Sequence, residues 1–159
     1  MYKEGNAAEL KTKFWHAMKH SAFVMLQLDA APDTVSPMTA QLDKEAHSAI
    51  WFFTTAQSRF AEMGPATAIF SSKGHDLFAR FHGHLVRETS RTRLDKQWSN
   101  FVAAWFPGGK EDPNLVMLRM ELGDATIWGG DLDLLTTAKM AMGMDVRDDV
   151  KGQHVTTHL

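Results

Sequence analysis

The chain contains no cysteine and only one tyrosine among its 159 residues. Without cysteine it can form no disulfide, no thiolate metal site and no cysteine nucleophile. An oxidising compartment is therefore not indicated. A basic block is also missing, and the formal net charge of -2 argues against an electrostatic nucleic-acid binder.

Long hydrophobic runs are absent as well. No segment approaches the roughly 18 apolar residues that a membrane-spanning helix needs. Residues 1–13 are polar and carry charges of both signs, which is unlike a signal peptide. We therefore expect a cytoplasmic protein. What is present is ordinary for one globular domain, with 44% hydrophobic and 23% charged residues.

Hydrophobic spacing predicts a mostly β protein. The predicted strands are residues 22–28, 35–42, 49–54, 66–71, 76–87, 115–122 and 125–128. The predicted helices are residues 9–20, a short one at 58–63, two between 89 and 105, and a last one at 132–142 that ends at Gly143. Gly83 inside a long strand indicates a bulge or a close backbone approach.

The order of these elements indicates the fold class. Six or seven strands come in runs and do not alternate with helices, which favours a closed or split antiparallel β-barrel with flanking helices (α+β) over a doubly wound sheet. We expect one domain over residues 1–145 and a polar C-terminal tail over residues 146–159.

Common catalytic motifs are missing. Neither a Gly-x-Ser-x-Gly elbow nor a glycine-rich phosphate loop is present, so no catalytic residue is named. His82 and His84 would share one face of a strand and could chelate a metal. No third ligand is specified, and we predict no metal site.

Two segments point most directly to a ligand. Residues 36–41 and 50–55 are predicted to form a hairpin with an apolar wall, rimmed by the hydroxyls of Thr54, Thr55 and Ser58 and by the guanidinium of Arg59. Such a rim suits a ligand with a flat ring at one end and a phosphate at the other. The equally weighted alternative is an N-cap serine beside a surface arginine.

Longer motifs follow one another in a characteristic order. They are residues 37–41, 50–54, 72–79, Trp98 with residues 105–113, and Ile127–Trp128. Together they resemble the general-stress-protein-26 branch of the pyridoxamine 5′-phosphate oxidase-like flavin proteins. The likeness extends from about residue 14 to residue 143.

The resemblance implies an FMN-binding split β-barrel that works as a homodimer, with each flavin at the subunit interface. It places the first strand of the hairpin along the flavin ring. It places the pairs Phe53–Thr54 and Ser58–Arg59 at the phosphate, and it brings Trp128 from the second subunit. The cofactor-binding residues that it implies are Pro37, Met38, Thr39, Gln41, Phe53, Thr54, Ser58, Arg59, Lys73, Trp105 and Trp128.

The chain departs from this family pattern at two cationic positions. Ser36 stands where arginine is usual, and Phe60 stands where lysine is frequent. Each charge-assisted hydrogen bond contributes roughly 1.5–3 kcal/mol, so their loss would weaken FMN binding. Residues 129–132 also lack the Arg-x-His type of motif of true pyridoxamine-phosphate oxidases, so vitamin B6 oxidation is not expected.

The leading hypothesis is a stress-type flavoprotein, an oxidoreductase or flavin reductase that acts on a small unknown acceptor. Three alternatives stay open. One is a non-catalytic flavin binder. Another is a split barrel that uses deazaflavin or haem, with His75, His82 or His84 as an axial ligand. The last is a dimer that has lost its cofactor and serves only in protein interactions.

Overall fold

The computed structural model describes residues 3–131, 134–145 and 151–159. Within these ranges the strands are β1 (Lys3–Glu4), β2 (Phe23–Leu28), β3 (Ala31–Thr39), β4 (Ala49–Thr55), β5 (Gly64–Ser71), β6 (Leu77–Arg87), β7 (Leu115–Asp131) and β8 (Lys151–His158). The α-helices are α1 (Ala7–His20), α2 (Arg91–Gln97), α3 (Asn100–Ala103) and α4 (Leu134–Ala141). Two 3₁₀ helices cover Arg59–Glu62 and Gly109–Glu111.

The strands form one curled sheet. Its order is β1-β8-β7-β6-β5-β2-β3, with β4 also paired to β7, and every pair except β1–β8 is antiparallel. One edge of the long β7 pairs with β4 along its first half and with β8 along its second half. One isolated antiparallel backbone bridge joins Gln41, two residues after the end of β3, to Trp51 of β4. The prediction of an antiparallel split barrel with flanking helices is confirmed.

The predicted hairpin between residues 35–42 and 49–54 is wrong. β3 pairs with β2, whereas β4 pairs with β7. The two segments share only the backbone bridge between Gln41 and Trp51 among the strand pairings of the described residues. The connecting residues 40–48 are too many for a tight turn. Pairing with β7 instead buries Ile50, Trp51 and Phe52. The two segments therefore approach each other as the facing sides of a gap.

Helix α1 packs against the sheet through one apolar stripe. Leu10, Phe14 and Met18 are buried, as their spacing predicts. The ring of Phe14 contacts Phe70 of β5 and Phe81 of β6 edge-on, at centroid distances of 5.8 and 5.5 Å. The helix therefore fastens the strands on one side of the sheet.

Gly83 marks a register shift in β6, as the sequence predicts. The pairing of β6 with β7 shifts between Phe81 and Gly83. A Cβ atom at Gly83 would lie 2.3 Å from the carbonyl oxygen of Glu121. The close backbone approach thus requires glycine at this position.

The end of the chain differs from the expected tail. Residues 151–158 form β8 along β7, with Val155 and Leu159 buried. Residues 146–150 lie outside the described residues, as do positions 132–133 at the start of the predicted last helix. The two strands expected at residues 115–122 and 125–128 are the single strand β7.

No helix in the described ranges has both the length and the apolar character to cross a membrane.

Candidate functional site

The gap between the ends of β3, β4 and the helix α3 forms a cleft of about 390 Å³. Ligand sites in proteins are commonly concave spaces of roughly 300–1,000 Å³. The cleft is lined by Pro37, Met38, Thr39, Gln41, Phe53, Thr54, Thr55, Phe101, Val102, Trp105 and Phe106. Seven of these belong to the eleven cofactor-binding residues that the sequence predicts. We call this space the β3–β4 cleft.

The floor of the cleft is fixed by backbone pairing. Gln41 exchanges both backbone hydrogen bonds with Trp51, at 2.7 and 3.0 Å. This bridge holds the end of β3 at a set distance from β4. Phe53 and Thr54 are half-buried at the point where β4 leaves the core.

Aromatic side chains form the opposite wall. The Ser99 hydroxyl accepts a hydrogen bond from the backbone N–H of Val102 and so starts α3. Phe101 and Trp105, four residues apart, are 87% and 81% exposed. Their exposure is unusual for large apolar rings and leaves them available to a ligand or to a second protein.

Behind this wall an aromatic cluster connects α3 to β4. The ring of Trp98 contacts Phe53 edge-on at 6.1 Å and lies 6.5 Å from Phe106. Phe106 is buried. The segment Trp98–Phe106 is therefore packed against β4, while the rings of Phe101 and Trp105 project away from it.

A buried carboxylate holds the loop after Gln41 against α2. Asp43, whose side chain is 2% exposed, accepts hydrogen bonds from Arg93 and from the Lys96 ammonium, the latter at 2.8 Å. The guanidinium of Arg93 also lies over the ring of Trp51, 4.0 Å from its centroid. These contacts connect α2 to β4 beside the cleft.

The same contacts shift the pKa of two carboxyl groups. Hydrogen bonds from Lys96 and Arg93 hold the pKa of Asp43 well below its usual range. Burial alone would raise the pKa of Glu88, but hydrogen bonds from Trp51 Nε1, the Ser90 backbone and Arg119 lower it overall. Both groups are thus charged supports of the fold near the cleft.

Ser58 and Arg59 lie just beyond the end of β4 and do not line the cleft. The Ser58 hydroxyl accepts from the backbone N–H of Phe60 and caps the 3₁₀ helix. Arg59 donates to Asp33 of β3 at 2.8 Å and to Glu62 at 3.4 Å. Asp33 is the largest cause of the raised pKa of Arg59. The guanidinium is therefore already shared by two carboxylates.

Lys73 and Trp128 are not brought to the cleft of their own chain. Lys73 lies in the turn after β5, at the opposite end of that strand from Arg59. Trp128 is half-buried on β7, opposite Phe78 of β6, with the guanidinium of Arg80 6.0 Å from its ring centroid. The role of Lys73 in cofactor binding and the role of Trp128 in the second subunit's site stay predictions.

The three histidines named as axial ligands lie elsewhere. His75 is an exposed turn residue with a positive φ of 55°. His82 and His84 are exposed on β6, and His82 Nδ1 is 2.9 Å from the Thr67 hydroxyl. Across residues 3–131, 134–145 and 151–159, no three acidic or histidine side chains converge as a metal site.

Four residues of the cleft are absent from the predicted set, namely Thr55, Phe101, Val102 and Phe106. Phe101 is a single exposed ring on the four-residue helix α3, and such a helix leaves no periodic signal in the sequence. Phe106 follows Trp105 in the same motif. The packing of α3 opposite the end of β3 could not be predicted from the sequence, since the two elements are distant in the chain.

The donors of the cleft fit a flavin ring better than a phosphate. Its apolar walls suit a flat aromatic system, and the hydroxyls of Thr39 and Thr54 and the amide of Gln41 can hydrogen-bond the ring edge. None of the described residues that line it is charged. Arg59, beyond the end of β4, is already paired with Asp33 and Glu62.

Comparison with known protein families identifies the family to which the chain belongs. The sequence profile of the pyridoxamine 5′-phosphate oxidase-like family matches residues 9–149. The chain belongs to this family. No curated protein sequence matches the chain.

Solved structures narrow the class to general stress proteins. The chain is 41% identical to the general stress FMN/FAD binding protein of Xanthomonas citri, over 80% of this chain and 94% of that one, with a TM-score of 0.73. It is 40% identical to a general stress family protein of Xanthomonas campestris pv. campestris, over 82% and 93% of the chains, with the same TM-score of 0.73. A general stress protein 26 of Jannaschia sp. CCS1 is 28% identical over 97% and 100%, with a TM-score of 0.79.

Proposed function

We propose that the protein is a stress-type flavoprotein that binds FMN in the β3–β4 cleft. The observation that carries this proposal is the cleft itself, which unites seven separately predicted residues from β3, β4 and the segment after α3. The similarity to an FMN/FAD binding protein of Xanthomonas citri supports the same ligand class. The apolar walls would hold the ring, and the hydroxyls would orient its polar edge.

We also propose that the flavin lies at the interface of a homodimer. The outer face of the sheet exposes large apolar residues on neighbouring strands, namely Phe23 (64%), Met25 (41%), Val35 (45%), Ile69 (51%) and Phe78 (39%). Met25 pairs with Pro37, and Phe23 pairs with Thr39, so this face continues into the cleft. A second copy seated on it would cover the flavin and bury the patch.

The proposed reaction is electron or hydride transfer to a small acceptor. A bound flavin supplies that chemistry, which no side chain of the cleft provides. The residues of this chain would bind and orient the ring and exclude water from one of its faces. A second candidate, a non-catalytic flavin binder, is favoured by the lack of any acid or base among the described lining residues.

Fluorescence titration tests the binding site. We expect added FMN to lose fluorescence on binding, because aromatic side chains contact its ring. Thr39→Glu, which places a charge on the exposed wall of the cleft, is expected to abolish most of the quenching. Thr12→Glu on the exposed face of α1 is the control and should bind as wild type does. Equal quenching by all three proteins would contradict the proposal.

Reduction of the bound flavin separates the two candidates. The loaded protein is mixed anaerobically with NADH or NADPH, and an acceptor is added afterwards. Reduction and reoxidation faster than those of free FMN would support the oxidoreductase. Rates equal to those of free FMN would favour the non-catalytic binder.

A further inference from the structure

A flavin's charged end would lie near the outer ends of the two strands that form the cleft. β3 and β4 both lead away from the cleft towards the pair Asp33 and Arg59. Asp33 lies four residues before Pro37, about 13 Å along an extended strand. Arg59 follows the turn after Thr55, the last residue of β4. The backbone bridge between Gln41 and Trp51 closes the other end of the cleft, so a chain substituent of a ring held there would extend towards this pair.

The guanidinium of Arg59 is already paired and is not free to bind an anion. Arg59 is 51% exposed and is engaged by Asp33, 75% exposed, and by Glu62, 60% exposed. The cluster therefore contains one positive and two negative side chains. A phosphate placed there would compete with Asp33 for the guanidinium and would be repelled by both carboxylates.

Ser36, Ser58 and Phe60 do not supply the positive charge that Arg59 has committed to its ion pairs. Phe60 is buried in the core at 5% exposure. The Ser36 hydroxyl donates to the carbonyl of Thr34 at 3.0 Å, and the Ser58 hydroxyl accepts the N–H of Phe60. Neither hydroxyl offers the positive charge that a phosphate seat ordinarily contains.

From this arrangement we infer that the β3–β4 cleft recognises the ring of a flavin and not its phosphate, so that riboflavin and FMN bind with similar affinity. The inference rests on the proposed flavin site and specifies its ligand. Exposed, shared ion pairs change an affinity by about two- to fivefold. A phosphate held by a dedicated cation would instead favour FMN by more than tenfold.

Parallel calorimetric titrations of riboflavin and FMN into the full-length protein test this inference. We expect the two dissociation constants to differ by less than about tenfold, with little change when the salt concentration rises. A preference for FMN of more than tenfold would overturn the inference and leave the flavin site intact. Binding of neither flavin would instead refute the proposed function.

Charge variants locate the cause. Asp33→Asn is expected to strengthen FMN binding by about two- to fivefold and to leave riboflavin unchanged, because it frees Arg59 and removes a repulsion. Arg59→Gln is expected to weaken FMN binding by less than about fivefold. Glu111→Gln, which breaks the exposed pair with Arg91 away from the cleft, is the matched control and should change neither flavin. A larger loss of FMN affinity in Arg59→Gln, with riboflavin unaffected, would show that the arginine does hold the phosphate.

Discussion

Trp105 lies at the rim of the cleft, and most of its side chain is exposed to solvent. At 81% exposure it contributes little to the packed core. The buried Phe106 beside it anchors the same segment. A ring held at the rim in this way is suited to cover a flat ligand and can be removed without loss of the fold.

We therefore predict that Trp105→Ala weakens FMN binding by about three- to tenfold while the melting temperature stays unchanged. Trp105→Phe should recover most of the affinity, since it restores an aromatic face. Titration and thermal melts of both variants provide the measurement. A parallel fall in affinity and melting temperature would show that Trp105 is structural.

Asp43 acts on stability instead. Its carboxylate is buried and its pKa is lowered by Lys96 and Arg93, so it favours the folded state in its charged form. We predict that Asp43→Asn lowers the free energy of unfolding by about 1–3 kcal/mol at neutral pH. Glu45→Gln, which removes only an exposed contact to Lys96, is the control and should change it little.

The pH dependence of that loss follows from the direction of the shift. A carboxyl whose folded pKa is lowered stabilises the protein fully above its unfolded pKa of about 3.9, and the contribution is lost as the pH falls towards the folded value. The stability difference between wild type and Asp43→Asn should thus be constant from pH 7 to about pH 5 and shrink in more acidic solution. A difference that grew on acidification would contradict this assignment.

At the scale of elements, the sheet depends on one close backbone contact. Gly83 lets β6 pass β7 at the register shift, where a Cβ would lie 2.3 Å from the Glu121 carbonyl oxygen. We predict that Gly83→Ala lowers the free energy of unfolding by about 1–3 kcal/mol, measured by denaturant titration.

Gly130 provides the matched control on the neighbouring strand. A Cβ there would meet its nearest atom, the Cα of Gly152, at 3.6 Å, which is an ordinary contact. Gly130→Ala should therefore change stability by less than about 0.5 kcal/mol. If both alanine variants were equally stable, the strand would be able to move at Gly83 and the close contact would not be limiting.

The elements also show how far sequence reasoning extends. The alternation of β6 and the apolar stripe of α1 are visible locally, because each buries one face against a common core. β7 is predicted only as two separate strands, since Gly123 reads as a turn, and β8 is not predicted, since it has few apolar residues. Their continuity depends on pairing with distant strands. The pairing of Arg59 with Asp33, 26 positions away, is invisible for the same reason.

The cleft likewise contains residues that the sequence predicts and residues that it does not. The segments that contain Pro37 and Thr54 carry recognisable motifs, and the structure brings them to one cleft. Their arrangement as a hairpin was wrong, because the partner of β4 is β7. Phe101 was missed because one exposed ring on a four-residue helix leaves no periodic signal.

At the scale of the whole molecule, the outer face of the sheet is the proposed homodimer interface. Ile69 lies within the apolar patch and pairs with Met25 on β2. We predict that wild type sediments as a dimer and that Ile69→Glu is monomeric, because a charge in a buried interface is costly. Thr92→Glu on the exposed surface of α2 is the control and should remain dimeric. A monomeric wild type, or a dimeric Ile69→Glu, would contradict this interface.

The β3–β4 cleft is proposed to hold a flavin ring. The most direct measurement is the visible spectrum of the purified full-length protein during a titration with FMN, with the bound amount counted by equilibrium dialysis. We predict saturable binding of one flavin per subunit, accompanied by a shift in the flavin absorbance as the ring leaves water. An unshifted spectrum and no retained flavin, from a protein that is folded, would contradict the account.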